Sequence, residues 1–397
     1  MADIVKKFVL ITENFPPCAG GGIAEWALGI SENLSSMNHQ VTVLSKWQKQ
    51  TDINIHKDKL FRLKRMAGHD WRKFRYWYSL FYLWLFLRSN PECYIIATTW
   101  ELGYCFVFLK KYFPLAKLVT IAHGREVTKL NKKKELKKFR KTIETSLLVF
   151  GVSRFTRNAI LGKINGESKH KIVCLPNDVD TKRFYYDDDY NQILEYLEVP
   201  KGHKIIITLA RIIERKGHDT VILCLPKVIS QFPNTTYIIA GPRQERYYKK
   251  LIKLIEKLNL ERNVIFTKFV NEDDLKKYYS QSDVYVMVSR TLPDGDSEGF
   301  GITFLEANAC QCPVIGSYSG GIPDAVSDGI SGYLVPPDDP DALAEKIIHI
   351  FSKPDLAEKL GEDGKKLIEE KFTWSKISSQ LLFELDKMEG NHKTLSY

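Results

Sequence analysis

Residues 204–240 read KIIITLARIIERKGHDTVILCLPKVISQFPNTTYIIA, and this stretch decides the fold class. It opens on the apolar run Lys204–Leu209, passes a short basic loop, takes up a helical pattern over 217–231 and closes on a second run, Thr236–Ala240. The same alternation continues with a helix over 244–258, a strand at Asn263–Thr267, a helix over 272–281 and a strand at Val284–Val288. Residues Glu298 to Leu334 add a loop, a helix, the strand Pro313–Gly316 and a short hairpin-like end. Alternation of this kind predicts a parallel sheet with helices on both faces.

The N-terminal half repeats the theme. Strand-like runs fall at Phe8–Thr12, Gln40–Ser45, Tyr94–Thr98, Leu118–Ala122, Leu147–Gly151 and Lys171–Leu175, with an amphipathic helix from Ile23 to Ser36. The pattern weakens between Pro176 and His203, where Asp187, Asp188 and Asp189 gather among turn residues. A chain of 397 residues suits two domains of moderate size. The expected architecture is therefore α/β: two doubly wound, Rossmann-like domains facing a cleft, with ligands at the carboxyl ends of the strands. The boundaries read as 1–178 for the first domain, 179–203 for a linker, 204–371 for the second, and 372–397 for a terminal helix and tail.

Composition narrows the class. The chain is 44% hydrophobic and 27% charged, without a low-complexity tract. The apolar run Phe8–Ile11 after Lys6 and Lys7 is too short for a signal-peptide core and reads as a buried strand. Cysteines at 18, 93, 105, 174, 224, 310 and 312 form no Cys-x-x-Cys pair, so thiols in a reducing cytoplasm are expected rather than disulfides or a zinc site. The net charge of +10 is concentrated: residues 51–150 hold 21 Lys and Arg against 8 Asp and Glu, which points to a local anionic partner. The apolar segment Trp71–Arg88 leaves twelve residues between Arg75 and Arg88, short of the roughly 20 needed to span a bilayer. No recognition helix, zinc finger or RNP-like aromatic pattern supports a nucleic-acid partner.

Four places along the chain carry candidate chemistry. Gly20, Gly21 and Gly22 follow the first strand, but Glu25 stands where a dinucleotide fingerprint needs its third glycine, and Ser45-Lys46 ends the second strand without an acid for a ribose. A glycine loop at a helix start still brings backbone N–H groups up to a phosphate or sugar, and a plain tight turn is the other reading. Arg211 and Lys216 stand just beyond Leu209, placed to hold a diphosphate through a guanidinium fork and a point charge. Ser297-Glu-Gly-Phe-Gly-Ile-Thr-Phe-Leu-Glu306 sets unpaired amides at a helix start between two carboxylates, Glu298 ahead of the helix and Glu306 one turn inside it. The plainer reading is capping by Glu298 with a solvated Glu306. His123-Gly124-Arg125-Glu126 and Gly320-Gly321-Ile322-Pro323-Asp324 each follow a strand, where a structural histidine and a simple turn are the competing readings.

Taken together, these residues resemble the family-4 retaining glycosyltransferases of the GT-B fold over nearly the whole chain. The most specific part is the family's Glu-x7-Glu motif, here Glu298 to Glu306, with Arg211 and Lys216 at the expected interval before it. The resemblance implies that Arg211 and Lys216 hold the donor diphosphate, that Glu306 grips the nucleotide ribose, and that Glu298 contacts the transferred sugar. It places His123 near the reacting sugar, and Gly21 and Gly22 near the diphosphate and acceptor. It makes Gly299, Phe300, Gly301 and Ile302 the amide-bearing donor loop, and gives recognition of the base to the backbone near Phe269 and Val270. Phe372-Thr373-Trp374 through Met388 looks like the family's C-terminal helix, which crosses back onto the first domain. Asp178 departs from the family's usual Pro-Asn-Gly, which touches hinge geometry rather than chemistry.

The resemblance further implies a retaining hexosyl transfer without a metal ion or other cofactor, the acceptor hydroxyl attacking from the leaving-group side. Asp294-Gly-Asp-Ser-Glu-Gly-Phe-Gly301 with Gly320–Val326 looks most like mannosyltransferases that use GDP-mannose, the alternatives being a UDP-sugar donor or a GT-B nucleotide-sugar epimerase or phosphorylase. The basic run Lys129–Lys141, KLNKKKELKKFRK, and the cationic aromatic segment Trp71–Arg88 combine residues that favour a membrane interface. The expectation is a cytoplasmic enzyme docking on an anionic inner membrane face and acting on a glycan or lipid-linked acceptor in cell-surface polysaccharide or glycolipid synthesis. A core helix at 71–88 beside a solvated helix at 129–141 is the competing reading.

Overall fold

Short strands, most of them rich in β-branched residues and buried over most of their length, form two all-parallel sheets, each serving its own unit of the chain. The structure, a computed structural model, describes residues 5–16, 21–46, 59–66, 71–187, 192–267, 270–271 and 274–390. The chain divides into a unit of Met1–Asn177 with Trp374–Tyr397 and a unit of Asp178–Thr373. Residues 178–187 and 192–203, within the stretch whose composition marks a break, thus fall in the second unit.

In the first unit the strands are β1 (Lys7–Thr12), β2 (Gln40–Lys46), β3 (Arg62–Met66), β4 (Tyr94–Ala97), β5 (Lys117–Ala122), β6 (Leu148–Gly151) and β7 (Ile172–Cys174). They lie side by side in the order β3-β2-β1-β4-β5-β6-β7, every pairing parallel. The order reverses between β1 and β4, so the loops after these strands diverge there. Helices α1 (Gly22–Ser36), α2 (Trp71–Ser89), α3 (Trp100–Leu109), α4 (Arg125–Thr128), α5 (Lys133–Thr145) and α6 (Arg154–Leu161) supply the covering layers. Val9, Ile95 and Leu118 are almost fully buried against Leu83, Leu87 and Phe106 from α2 and α3. Each such side chain contributes roughly 1.5–3 kcal/mol on leaving water.

The C-terminal helix, Trp374–Met388, belongs to this first unit. Two ion pairs fasten this end of the chain near the start of the sheet, Lys6 to Asp386 at 2.8 Å and Lys117 to Glu389 at 2.6 Å. The Tyr94 hydroxyl donates to Glu389 at 2.5 Å. The indole of Trp374 lies on Gly29 of α1, where a Cβ would fall 1.9 Å from the ring.

In the second unit β8 (Lys204–Leu209), β9 (Thr235–Ala240), β10 (Val264–Thr267), β11 (Val284–Met287), β12 (Val314–Ser317) and β13 (Gly332–Val335) take the order β10-β9-β8-β11-β12-β13, again all parallel. The hairpin-like end expected near Leu334 is corrected here: β13 pairs parallel with β12, Val314 opposite Gly332, so the chain crosses over before returning. The helices are α7 (Gln192–Tyr196), α8 (His218–Gln231), α9 (Glu245–Leu258), α10 (Leu275–Ser280), α11 (Ile302–Ala309), α12 (Ile322–Ala325), α13 (Pro340–Phe351) and α14 (Pro354–Lys371). Ile206, Ile239, Val286 and Ile315 line the core with Leu225 of α8 and Leu343 and Ile347 of α13. The reversal falls between β8 and β11. The six described cysteines are free thiols, and Cys18 lies outside the described residues.

Because Trp374 occupies the space above Gly29, Gly29→Ala should destabilise the first unit by about 1–3 kcal/mol through overpacking. A second change, Trp374→Leu, should recover part of that loss. Denaturant melts of the single and double variants check it; equal stability of Gly29→Ala and the unaltered chain would contradict the packing.

Candidate functional site

In the second unit, the loops leaving β8 and β11 open on the two sides of the point where strand order reverses, the usual ligand position of a doubly wound sheet. After β8 comes Arg211, exposed and without an ion-pair partner among the described residues. A single helical turn, Glu214–Lys216, then buries Arg215 and Lys216. Gly217 ends that turn at φ 74°, where a Cβ would lie 2.1 Å from the Val288 carbonyl oxygen; only glycine lets the turn press against the end of β11.

Lys216 therefore points across the carboxyl end of β11. Its ammonium lies 3.2 Å from the Met287 sulfur and 2.5 Å from Glu298 Oε2. Arg215 reaches the same carboxylate oxygen, Nη1 at 2.6 Å, and its Nε lies 3.2 Å from Asp296. Two cations thus converge on one carboxylate. Burial alone would raise the Glu298 carboxyl, but the charges of Lys216 and Arg215 outweigh it and hold the group down to about 2. Lys216 is shifted down by its burial, against the opposing pull of Glu298.

The loop after β11 is built to deliver these acids. Leu292 N–H donates to the Asp296 carbonyl at 2.9 Å, closing a turn, and the Thr291 and Ser297 hydroxyls meet at 2.8 Å. Gly320 and Gly321 then latch the loop from behind. The Gly321 amide donates to the Glu298 carbonyl at 2.9 Å, and Gly320, at φ 58°, leaves room where a Cβ would stand 2.3 Å from that oxygen. The glycine pair left open in sequence between close ligand approach and a plain turn thus has a backbone role.

Beyond Glu298, Gly299, Phe300 and Gly301 lead into α11, with Gly301 at its N-cap and Ile302 its first residue. The first-turn amides of such a helix have no partners within it and favour an anion. Glu306, one turn in, accepts from the Tyr279 hydroxyl at 2.7 Å, and Tyr285 bonds Thr303 at 2.6 Å, fixing the helix on β11. Phe269 lies outside the described residues, as do Gly20, Asp188 and Asp189; Val270 is described, in a half-buried loop.

Arg215, Arg290 and His218 of this region went unread in the sequence. Arg290, just past β11, forks onto Asp219 at 2.6 and 3.0 Å, pairs with Asp338 at 2.7 Å, and donates its amide to the Arg215 carbonyl at 2.9 Å. It ties the start of α8 to the cation turn. His218 is fully buried with neither ring nitrogen hydrogen-bonded, and burial, reinforced by Lys216, pushes it down to about 3, so it is neutral. The signal available in sequence was the adjacency Arg215-Lys216-Gly-His218-Asp219.

In the first unit, His123 follows β5 and packs edge-on to Trp26, ring centroids 5.9 Å apart. Burial lowers it to about 4, so the ring is neutral, and its Nε2 is buried without a hydrogen-bond partner. The Glu126 carboxylate accepts from the His123 amide at 2.6 Å. Gly21, at φ 129°, is the N-cap of α1 and Gly22 its first residue, with nothing packed where a Gly21 Cβ would stand.

Two family models match the chain: Glycosyltransferase Family 4 over residues 20–183 and Glycosyl transferases group 1 over residues 189–367. The chain is a family-4 glycosyltransferase. The GDP-mannose-dependent alpha-(1-6)-phosphatidylinositol monomannoside mannosyltransferase of Mycolicibacterium smegmatis is 29% identical to this enzyme over 266 residues, covering 67% of this chain and 69% of that one. The counterpart from Mycobacterium tuberculosis aligns over 60% of each chain at the same identity. Among solved structures, sucrose-phosphate synthase from Thermosynechococcus elongatus superposes with a TM-score of 0.80 at 21% identity, covering 98% of this chain and all of that one. Anabaena HepE, solved with UDP and glucose, gives 0.77 at 18% identity, with 96% and 100% covered. These likenesses fix the GT-B fold of the glycosyltransferase.

The depressed carboxyl of Glu298 has a consequence for stability. Because the folded value lies below the ordinary 4.5, its contribution is complete above pH 4.5 and is lost as pH falls toward 2. Glu298→Gln should cost about 3 kcal/mol at neutral pH by leaving buried cations uncompensated. It should also flatten the acid loss of stability. Melts across pH 2–7 check this, and an unchanged acid slope in the variant would contradict it.

Proposed function

We propose that this glycosyltransferase moves a hexose, with GDP-mannose the favoured donor, onto a glycan or lipid-linked acceptor at an anionic membrane surface, with retention of configuration and without a metal ion. The observation that carries the reading is the buried cluster of Lys216, Arg215 and Glu298 at the mouth of α11. A nucleotide diphosphate leaving a sugar gains negative charge, and fixed cations with a helix's free amides stabilise that charge in the transition state. Lys216 and the exposed Arg211 would take the diphosphate, with the Gly301–Ile302 amides beside them. Glu298, kept ionised by its two cations, would accept from a sugar hydroxyl, and Glu306 from the ribose.

His123 is neutral, so it would hydrogen-bond the reacting sugar rather than add charge to it. The acceptor hydroxyl would attack from the side of the departing diphosphate and pass its proton to it. No covalent intermediate on the protein is invoked. The mannose preference is supported by the GDP-mannose dependence of the mycobacterial relatives and by the stretch Asp294–Gly301. Their action on phosphatidylinositol monomannoside supports a lipid-linked acceptor here, as does the basic excess of residues 51–150.

Hydrolysis and transfer measured with a panel of GDP- and UDP-sugars test the donor. GDP-mannose should be consumed fastest, and a faster UDP-sugar would overturn that choice. Lys216→Ala should lower kcat/KM about a hundred- to a thousand-fold, the loss typical of removing one such charge-stabilising group. Wild-type turnover in that variant would overturn the assignment of Lys216.

A further inference from the structure

Helix α2 of the first unit carries a run of exposed large apolar side chains. Helix α2 buries Ser79, Leu83 and Leu87 on one side, against the sheet and α3. Its other side is not polar. Phe74, Trp77, Phe81, Trp84 and Leu85 recur at helical spacing and are each between 36% and 70% exposed. A helix apolar on both sides is either covered or turned toward an apolar medium. Among the described residues no helix is long and apolar enough to cross a membrane, so α2 lies on a surface rather than through one.

Charge identifies that surface. The α2 sequence, WRKFRYWYSLFYLWLFLRS, contains no acidic residue, and the Arg88 guanidinium lies over the Trp84 ring at 5.0 Å. Helix α3 packs beside α2, with the Cys105 thiol donating to the Tyr76 carbonyl at 3.6 Å, and it also packs against α5. Helix α5, KKELKKFRKTIET, sets six cations against two carboxylates. It buries Phe139 and Ile143 and exposes Lys133, Lys134, Lys137 and Lys141. Lys138 joins the three helices, its ammonium 5.6 Å from the Tyr76 ring of α2 and 5.3 Å from the Tyr104 ring of α3. At the end of α3 and just beyond it, Phe108, Tyr112 and Leu115 are exposed, with the Lys111 ammonium over Tyr112.

From this juxtaposition we infer that α2, α3 and α5 form a docking face for an anionic lipid bilayer: the α2 aromatics enter the headgroup boundary while the α5 lysines lie against lipid phosphates. The inference deepens the proposed function and rests on it for the acceptor alone, since the face is built apart from Lys216 and Glu298. Trp and Phe favour the boundary because it is apolar on one side and wet on the other. Each lysine near an anionic leaflet adds severalfold to binding, and added salt weakens the effect. An acidic protein would complement the lysines but leaves the aromatic stripe in water, and a second copy of the chain would cover the stripe but set like charges together.

The test is co-sedimentation of the full chain with phosphatidylcholine vesicles, with and without phosphatidylglycerol, alongside donor hydrolysis. The unaltered chain should pellet with the anionic vesicles and stay soluble with the neutral ones. Replacing three lysines together (Lys134→Gln, Lys137→Gln and Lys141→Gln) should weaken binding about a hundredfold. Trp77→Ser with Phe81→Ser should weaken it while retaining the melting temperature, because both side chains are already exposed. Donor hydrolysis in solution should be unchanged in both variants. Equal sedimentation with neutral and anionic vesicles, or full binding by both variants, would overturn the inference. So would a dimer dissolved by the serine variant in a chain that ignores vesicles. Vesicle binding without hydrolysis of any nucleotide sugar would uphold the face and reject the proposed sugar transfer; hydrolysis without vesicle binding would uphold use of a nucleotide-sugar donor and reject the face together with the membrane site of transfer.

Discussion

One carboxylate gripped by two buried cations organises the second unit. Lys216 and Arg215 cannot lie under the end of β11 unless a negative group meets them, because a buried unpaired cation costs several kcal/mol. Glu298 is that group, 2.5 Å from one and 2.6 Å from the other. The surrounding detail serves the meeting. Gly217 lets the cation turn approach, the 291–297 loop carries the acid in, and the Gly320–Gly321 latch holds its backbone. Arg290 fixes the cation turn to the start of α8 through Asp219.

Such a pair is poised electrostatically. A diphosphate arriving beside Lys216 would share its charge with Glu298, and the cluster would pass from internal neutralisation to ligand binding without large movement. Arg211 differs in kind. It is exposed and carries no internal pair among the described residues, so its charge is already available to an anion. The site therefore combines a preset part and an adaptable part. Preorganised charge of this sort lowers a barrier because little must reorient as the leaving group departs.

Much of this was legible in sequence because parallel strands buried on both faces read as uninterrupted apolar runs. KIIITL and TTYIIA match β8 and β9 almost residue for residue, and the site loops follow from where those runs stop. The spacing of Glu298 and Glu306 around a glycine-opened helix was equally visible. Less visible was anything set by three-dimensional pairing. The turn at 214–216 decides that Arg215 faces Glu298 while Arg211 faces water, and a list of nearby cations cannot separate them. Strand β13 was mistaken for a hairpin arm because Gly329 to Gly332 carries turn residues, whereas its pairing partner β12 lies a crossover away. Arg62–Met66, a strand with three cations in five residues at the sheet edge, gave no apolar signal. Composition marked Trp71–Arg88 as a cationic aromatic segment but left a membrane-facing helix and a core helix both open, since a helix apolar on both sides has the same composition whether covered or exposed.

The central claim is that the cations of the second unit bind the diphosphate and not the base. Calorimetric titration of GDP and of guanosine into the unaltered chain and Lys216→Ala separates the two most directly. GDP affinity should fall by tenfold or more, about 1.4 kcal/mol, in the variant while guanosine binding stays the same. Equal losses for both ligands, or no loss for GDP, would contradict it.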